Sequence, residues 1–333
     1  MQRIFILISM LFTLQALSQD TTFNSLLQGM EDKTPAPKPA VKIFESERLI
    51  NANTTELVGK GKMIFRVIHN FYDVAGSNGG IKNFFGLDNA ADIKISFQTG
   101  LGKRLDLITS RDRGGENYQT DFSRVQKLWE LGFKYKLAEQ RENDPRHPVS
   151  VALFANMVVA SMPSAKFSPP YTDSAETTFK NLSDRLSQAV QLIIARKFGE
   201  SSVELVSSFV HRSRVIPGDD KSLFALGGAA RIPVTRNLAF IIDYFHVFHS
   251  QQAKEFYKDP NSAVHPPIKF YDPLGIGFEF LTAGHVFHLN FTNATEILEN
   301  RFIPRTVTSW GKGQFRWGFT IARTFVLWRA KNQ

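Results

Sequence analysis

A period of two in hydrophobicity, repeated many times along the chain, is the feature that most constrains this fold. In one run Trp129, Phe133 and Tyr135 alternate with Lys134 and Lys136. Successive side chains of a β-strand point to opposite faces, so the alternation predicts strands with one apolar and one polar face. We count about twelve such segments of the length that a tilted membrane strand needs. They lie near residues 56–70, 92–101, 105–110, 126–138, 148–159, 185–198, 203–212, 222–232, 238–248, 273–282, 285–292 and 315–328.

The connections between these segments alternate in length. The long ones are residues 71–91, 111–125, 160–184, 213–221, 249–272 and 293–314, and most of the others are tight turns, such as residues 102–104 and 283–284. Outer-membrane barrels have short turns on the periplasmic side and long loops outside. The pattern therefore predicts an all-β fold, an antiparallel up-and-down transmembrane β-barrel of about 12 strands with both termini in the periplasm.

The N-terminus indicates export. A short positive start is followed by an apolar run from Ile4 to Leu14 and by small residues ending at Ser18, which is the order of a secretory signal peptide. Alternating prolines follow at residues 35–39 and favour an extended spacer. We therefore divide the chain into a signal peptide (1–18), a flexible proline-containing periplasmic leader (19–45) and an outer-membrane barrel (46–333).

Composition and motifs exclude several kinds of site. The chain has no cysteine, so it has no disulfide, no cysteine-based zinc site and no lipoprotein anchor. The net charge of +9 is scattered, which argues against nucleic-acid binding. There is no G-x-S-x-G motif and no P-loop, and the histidines in the pairs at 246 and 249 and at 285 and 288 point to opposite faces of a strand. We expect no enzyme activity, no catalytic residue, no cofactor and no metal.

Several short runs are more specific than a strand pattern. They are Arg48 to Asn51, Gly59 to Gly61, Arg66 to Phe71, Asn83 to Asp88, Gly284 to Phe287, Phe291 to Asn293, Phe302-Ile303, Gly318-Phe319 and Ala322 to Phe325. In this order they resemble a family of uncharacterised outer-membrane β-barrels of Gram-negative bacteria, catalogued as a domain of unknown function. The resemblance extends over about residues 45–328. It implies the fold and the location, and it carries no reaction, substrate or catalytic residue.

The alternation of side chains between the two faces of each strand, which we call strand parity, also predicts which charges point into the barrel. The basic ones are Lys62, Arg66, Lys94, Lys134, Lys136, Lys197, Arg212, Arg231 and Arg316, and the acidic ones are Asp106, Glu130, Glu204, Asp243 and Glu279. Our candidate lumen-lining residues are Lys94, Lys134, Lys136, Arg231, Arg66, Glu130 and Glu279. An open lumen with this basic excess would favour anions. In a plugged lumen the same charges would pair with one another.

Three functions remain open at this point. The first is a narrow, porin-like channel for small, anionic solutes. The second is a non-conducting structural or binding barrel that acts through its long external loops, and the third is an outer-membrane hydrolase. The expected partners are outer-membrane lipid and lipopolysaccharide, the barrel-insertion machinery and a small-molecule solute. We also expect Trp129, Phe133, Phe278, Phe287 and Trp317 to face lipid.

Overall fold

The computed structural model describes residues 38–76, 79–114, 125–165, 176–260 and 267–328. The predicted signal peptide and most of the leader lie outside these ranges. The compact barrel unit begins at Ala40. The predicted division between leader and barrel after residue 45 stays a prediction, although residues 40–45 already belong to this unit.

Twelve antiparallel strands in the described residues form one closed barrel, in which each strand pairs with its neighbours in sequence and the first pairs with the last. They are β1 (Lys62–Asp73), β2 (Ala90–Gly100), β3 (Leu105–Gly114), β4 (Leu128–Ala138), β5 (Ser150–Ala160), β6 (Leu186–Phe198), β7 (Ser201–Arg212), β8 (Ser222–Pro233), β9 (Leu238–Phe248), β10 (Leu274–Leu281), β11 (His285–Thr292) and β12 (Arg316–Val326). The predicted fold is confirmed. The predicted start of the first strand at residue 56 is wrong, because β1 begins at Lys62 and residues 56–61 belong to another element.

Long and short connections alternate around the barrel as expected. The two α-helices of the described residues lie in long connections: α1 (Gln251–Lys258) between β9 and β10, and α2 (Glu299–Arg305) between β11 and β12. The hydroxyl of Ser250 caps α1 by accepting a hydrogen bond from Ala253 N at 3.0 Å. In the parts of the chain that are described, neither helix nor any other is long and apolar enough to cross a membrane.

Burial alternates along the strands, as in β4, where every second side chain from Leu128 to Lys136 is buried. The exposed positions are mostly large and apolar, and they include Trp129, Phe133 and Phe278 at 56%, 44% and 43% exposure. Phe287 and Trp317 lie on the same outer face and are partly exposed. An apolar outer wall is what contact with hydrocarbon requires, so these five aromatic side chains lie where parity predicts.

Replacing Phe278 by arginine is expected to lower the free energy of unfolding by about 2–4 kcal/mol, because a guanidinium at mid-membrane depth is costly. Phe198→Arg is the matched control. Phe198 is also exposed but ends β6 at the rim, where the same change should cost about 0–1 kcal/mol. Denaturant unfolding in lipid vesicles measures both. Equal stability of Phe278→Arg and the unmodified protein would mean that Phe278 does not face lipid.

Candidate functional site: a hairpin inside the barrel

Residues 40–61 form a hairpin that precedes β1, and we call it the lumen hairpin. It starts at Ala40, which pairs with Arg141 in the turn between β4 and β5. It ends where Gly61 N donates a hydrogen bond to Gly100 O, at 3.0 Å. Both contacts lie on the side of the barrel with short turns, so the hairpin enters and leaves by the same end.

The hairpin turns back at residues 48–53. Leu49 N donates to Ala52 O at 2.9 Å, and Thr54 N donates to Glu47 O at 3.1 Å. All residues from 46 to 56 are buried. A short segment can be buried in this way only if other parts of the protein surround it.

The surroundings are the inner face of the barrel wall. Val58 N donates to Asp106 Oδ2 on β3 at 2.8 Å, and Asn51 N donates to Asp243 Oδ2 on β9 at 2.6 Å. These two strands are six positions apart in a barrel of twelve strands, so they face each other. The hairpin therefore spans the lumen.

Asp243 holds the tip of the hairpin. Besides the bond from Asn51 N, its carboxylate accepts hydrogen bonds from Ala52 N at 3.1 Å and from Asn51 Nδ2 at 2.8 Å. Gly275 on β10 leaves room for this contact, since a Cβ there would lie 2.8 Å from the side chain of Ile50 and 3.0 Å from that of Asn51. A larger residue at position 275 would therefore collide with the tip of the hairpin.

Helix α2 covers the tip from the side of the long loops. Glu299 forms an ion pair with Arg48, and it accepts a hydrogen bond from Asn53 Nδ2 at 3.0 Å. Both side chains of the ion pair are almost fully buried. Phe302 of α2 packs edge-on against Phe245 of β9, with ring centroids 5.4 Å apart. The hairpin thus contacts an element from each end of the barrel.

One part of the lumen is packed as a hydrophobic core. It joins the hairpin, α2 and the wall, and its members include Ile43, Phe44, Leu49, Ile193, Val206, Ile241, Phe245 and Phe302. Such contacts exclude water in the way that a protein interior does. In this structure the lumen is filled along that side.

The seven candidate lumen-lining residues are all buried. Four of them pair on the wall itself. Lys94 Nζ lies 2.8 Å from Glu130 Oε2, and Arg231 Nε lies 2.6 Å from Glu279 Oε1. His288 Nε2 lies 3.2 Å from the other oxygen of Glu279. All of these side chains belong to the strands of the barrel wall, so the pairs form without the lumen hairpin.

The other three candidates contact the lumen hairpin. Arg66 Nη2 lies 2.8 Å from Glu47 Oε2, and Lys136 Nζ lies 3.7 Å from Glu56 Oε2. Lys134 Nζ donates to Glu47 O at 2.7 Å. The sequence pattern did not predict these contacts, because it assigned residues 19–45 to a leader and residues from 56 onward to the first strand.

The expected excess of buried basic charge is not found. Among the described residues, thirteen acids and nine bases are buried. The acids are Glu47, Glu56, Asp73, Asp92, Asp106, Asp112, Glu130, Glu176, Glu204, Asp243, Glu279, Glu296 and Glu299, and the bases are Arg48, Arg66, Lys94, Lys134, Lys136, Arg212, Arg231, Arg301 and Arg316. The hairpin and the long loops supply five of these acids and two of the bases, and three further acids that were not expected inside, Asp73, Asp92 and Asp112, lie on the strands. Lys62, which was expected inside, is exposed.

The runs Arg48 to Asn51 and Gly59 to Gly61 were the available signals for the hairpin. Gly59 and Gly61 have φ of +87° and +78°, and a Cβ on Gly100 would lie 1.9 Å from Gly59 O. Two glycines in the left-handed region mark a sharp change of chain direction rather than a continuing strand. This signal would have moved the predicted start of β1 from residue 56 to residue 62.

Two side-chain pairs on the outer face bear on the hydrolase hypothesis. His211 Nδ1 lies 2.8 Å from Ser222 Oγ, and His246 Nδ1 lies 2.9 Å from Asp272 Oδ2. The pairs are separate: within the described residues no carboxylate is paired with His211, and no hydroxyl is bonded to His246. Neither makes a Ser-His-Asp arrangement. In the same described ranges, no group of three or more histidine, aspartate and glutamate side chains is arranged to hold a metal ion.

A closed, up-and-down barrel with an apolar outer wall and a filled lumen defines a membrane β-barrel protein. The chain belongs to the family described as membrane bound beta barrel domain (DUF5777), whose model matches residues 44–325. The resemblance noted from the sequence runs is therefore confirmed. The match begins inside the lumen hairpin, so the hairpin is part of the family domain.

Three solved structures, two of them porins, are similar to this chain at low sequence identity. The NanC porin is 6% identical, with a TM-score of 0.43 over 78% of this chain and 98% of that chain. The KdgM porin is 7% identical, with a TM-score of 0.43 over 79% and 99%. The outer membrane protein Omp33 of Acinetobacter baumannii is 9% identical, with a TM-score of 0.36 over 80% and 99%. No curated protein has a significantly similar sequence.

Proposed function

We propose that this protein is an outer-membrane, porin-like barrel that is closed by its own lumen hairpin, and that small solutes pass when the hairpin leaves the lumen. The occupied lumen is the observation that carries this proposal. The hairpin enters and leaves at the end with short turns, so it can withdraw toward that side without breaking a strand pairing. By the usual orientation of such barrels that side is the periplasm.

The outer-membrane location is supported by the apolar outer wall, by the family and by the signal peptide expected at residues 1–18. We propose outer-membrane lipid with lipopolysaccharide and the barrel-insertion machinery as partners on the same grounds. Membrane-spanning barrels satisfy every backbone group by closing the sheet, which this chain does through the pairing of β1 with β12.

Withdrawal of the hairpin would change the charges of the lumen. Arg66, Lys134 and Lys136 would lose the partners that Glu47 and Glu56 supply. This would leave a basic side on β1 and β4.

The side of the lumen near β9 and α2 would become acidic, because Asp243 and Glu299 would lose the tip of the hairpin. We therefore propose small polar solutes with charges of both signs. The anion preference expected from the sequence would need an overall basic excess, which the buried charges do not have.

The filled lumen also supports a second candidate, a non-conducting barrel that acts through its long loops. In that case the hairpin and α2 form a permanent core, and the buried ion pairs stabilise it. The two candidates differ in one property: only the first has an open state.

The test uses a disulfide between the tip and the wall, in Asn51→Cys combined with Asp243→Cys. The two native side chains contact each other, and the chain has no cysteine of its own. Conductance in planar bilayers should be low when the pair is oxidised and should rise when it is reduced, because reduction releases a tip that has also lost its carboxylate partner.

The single variant Asp243→Cys is the control and should conduct in both redox states. Equal conductance of the double variant when oxidised and when reduced would contradict a gate formed by the hairpin. Absence of conductance in every variant and redox state would overturn the channel and leave the binding barrel.

A further inference from the structure

Three arginines surround one buried carboxylate at the end of the barrel with long loops. Glu176 Oε1 lies 2.8 Å from Arg301 Nη1, and its Oε2 lies 2.8 Å from Arg305 Nη2. Arg212, at the end of β7, places Nη1 3.6 Å from Glu176 Oε1. Asp219 Oδ2 lies 3.0 Å from Arg212 Nη2. We call these five residues the arginine cluster.

The arginines hold Glu176 in its charged form. Burial alone would raise the pKa of Glu176, but the charges of Arg301, Arg305 and Arg212 outweigh it and lower the pKa to about 2. A site that stabilises a carboxylate this strongly is also suited to other oxyanions, because guanidinium groups bind carboxylate and phosphate with the same geometry.

The cluster has hydrogen-bond donors that are not used. Within the described residues, Nη2 of Arg301 and both Nε and Nη1 of Arg212 are buried without a hydrogen-bond acceptor, and Glu176 Oε2 is buried without a donor, although Arg212 Nη1 and Glu176 Oε2 each take part in an ion pair. The side chains of these two arginines are 5% and 2% exposed. Buried donors are normally satisfied, so an unused set calls for an acceptor.

A small cavity lies against these groups. Its volume is about 20 Å³, and Glu176, Arg212, Arg214 and Arg301 are among its lining residues. This is room for one water-sized group. The space of the cavity together with that of the Glu176 carboxylate would hold one carboxylate or phosphate group.

We propose that the arginine cluster is a binding site for an oxyanion group, a carboxylate or a phosphate, which takes the place of Glu176 on Arg212 and Arg301. In the ligand-free protein Glu176 occupies the site as an internal competitor. The site is separate from the lumen hairpin, so it stands whether or not the barrel conducts.

The test measures the thermal unfolding midpoint of the full protein in detergent against increasing inorganic phosphate at constant ionic strength. A bound ligand stabilises the folded state in a saturable manner. We expect a saturable rise for the unmodified protein. Glu176→Gln should saturate at roughly tenfold lower phosphate, because the site no longer has an internal competitor. Acetate should compete with phosphate in both proteins.

Arg301→Gln should lose the saturable rise. Arg111→Gln is the control and should keep the response. Arg111 lies at the same end of the barrel, stacks over Trp129 and, among the residues that the structure describes, contacts no carboxylate. A response that is linear and equal in all four proteins would overturn the site. So would a Glu176→Gln variant that binds phosphate no more tightly than the unmodified protein, and this outcome can be scored even if Arg301→Gln does not fold.

Discussion

Replacing Asp243 by alanine is expected to open the lumen. The carboxylate accepts three hydrogen bonds from Asn51 and Ala52 at the tip of the hairpin. A hydrogen bond to a charged group contributes about 1.5–3 kcal/mol. Three bonds at the lower end of this range lose about 4.5 kcal/mol in total, which would raise the fraction of molecules with a released hairpin more than a thousandfold, since each 1.4 kcal/mol is a factor of ten. Bilayer conductance and protease cleavage within residues 46–56 should both increase.

Asp272→Ala is the matched control for this experiment. Asp272 also accepts three hydrogen bonds, from Tyr244 Oη at 2.5 Å, His246 Nδ1 at 2.9 Å and Val247 N at 3.1 Å. Its two side-chain partners, Tyr244 and His246, lie on the outside of the barrel and not on the lumen hairpin, so its loss should leave conductance and hairpin cleavage unchanged. If Asp243→Ala behaves like Asp272→Ala, Asp243 does not hold the hairpin in the lumen.

Removing one partner of the buried Arg48–Glu299 pair is expected to lower the free energy of unfolding by about 3–5 kcal/mol, because the other charge is left buried and uncompensated. In Glu299→Met the charge of Arg48 stays buried without its partner, and in Arg48→Met the charge of Glu299 does. The double variant Arg48→Met with Glu299→Met has no buried charge to compensate, so its cost should be well below the sum of the two single changes. Equilibrium unfolding of the four proteins in one lipid or detergent system completes the cycle.

The pair Lys42–Glu45 serves as the comparison. It lies on the same hairpin, but its side chains are 59% and 31% exposed. Glu45→Ala should therefore cost about 1 kcal/mol or less, as surface ion pairs do. Additive costs for Arg48 and Glu299 would show that the two groups do not form one unit, and that α2 and the hairpin are stabilised independently.

Parity predicted the wall of the barrel from the sequence, because the side-chain period of a strand is fixed. Lys94 between Ile93 and Ile95 could point only inward once both isoleucines faced lipid. The same argument placed Lys134 and Glu279. Pairing of Lys94 with Glu130 needs the register of three strands as well, and a period of two does not contain the register.

The contents of the lumen were not predicted, for a different physical reason. Residues 40–61 have no regular period, because the hairpin is held by contacts with many elements instead of by pairing along one strand. The partners of Arg48 and Asn51 lie 251 and 192 positions away in the chain. Nothing in the local sequence around residue 48 specifies such a partner, so the burial of Arg48 and Glu299 inside the barrel could not be predicted from it.

These separations also have a consequence for the kinetics of assembly. Synthesis runs from the N-terminus, so the hairpin exists before every strand that will enclose it, and Glu299 is among the last of its partners to appear. Arg48 and Asn51 at the tip of the hairpin lack these partners until β9 and α2 are in place, and formation of the β1–β12 seam then completes the wall around the hairpin. Contacts this distant in sequence slow folding. A molecule whose seam closes before the hairpin has docked would be an inserted barrel with an unfilled lumen.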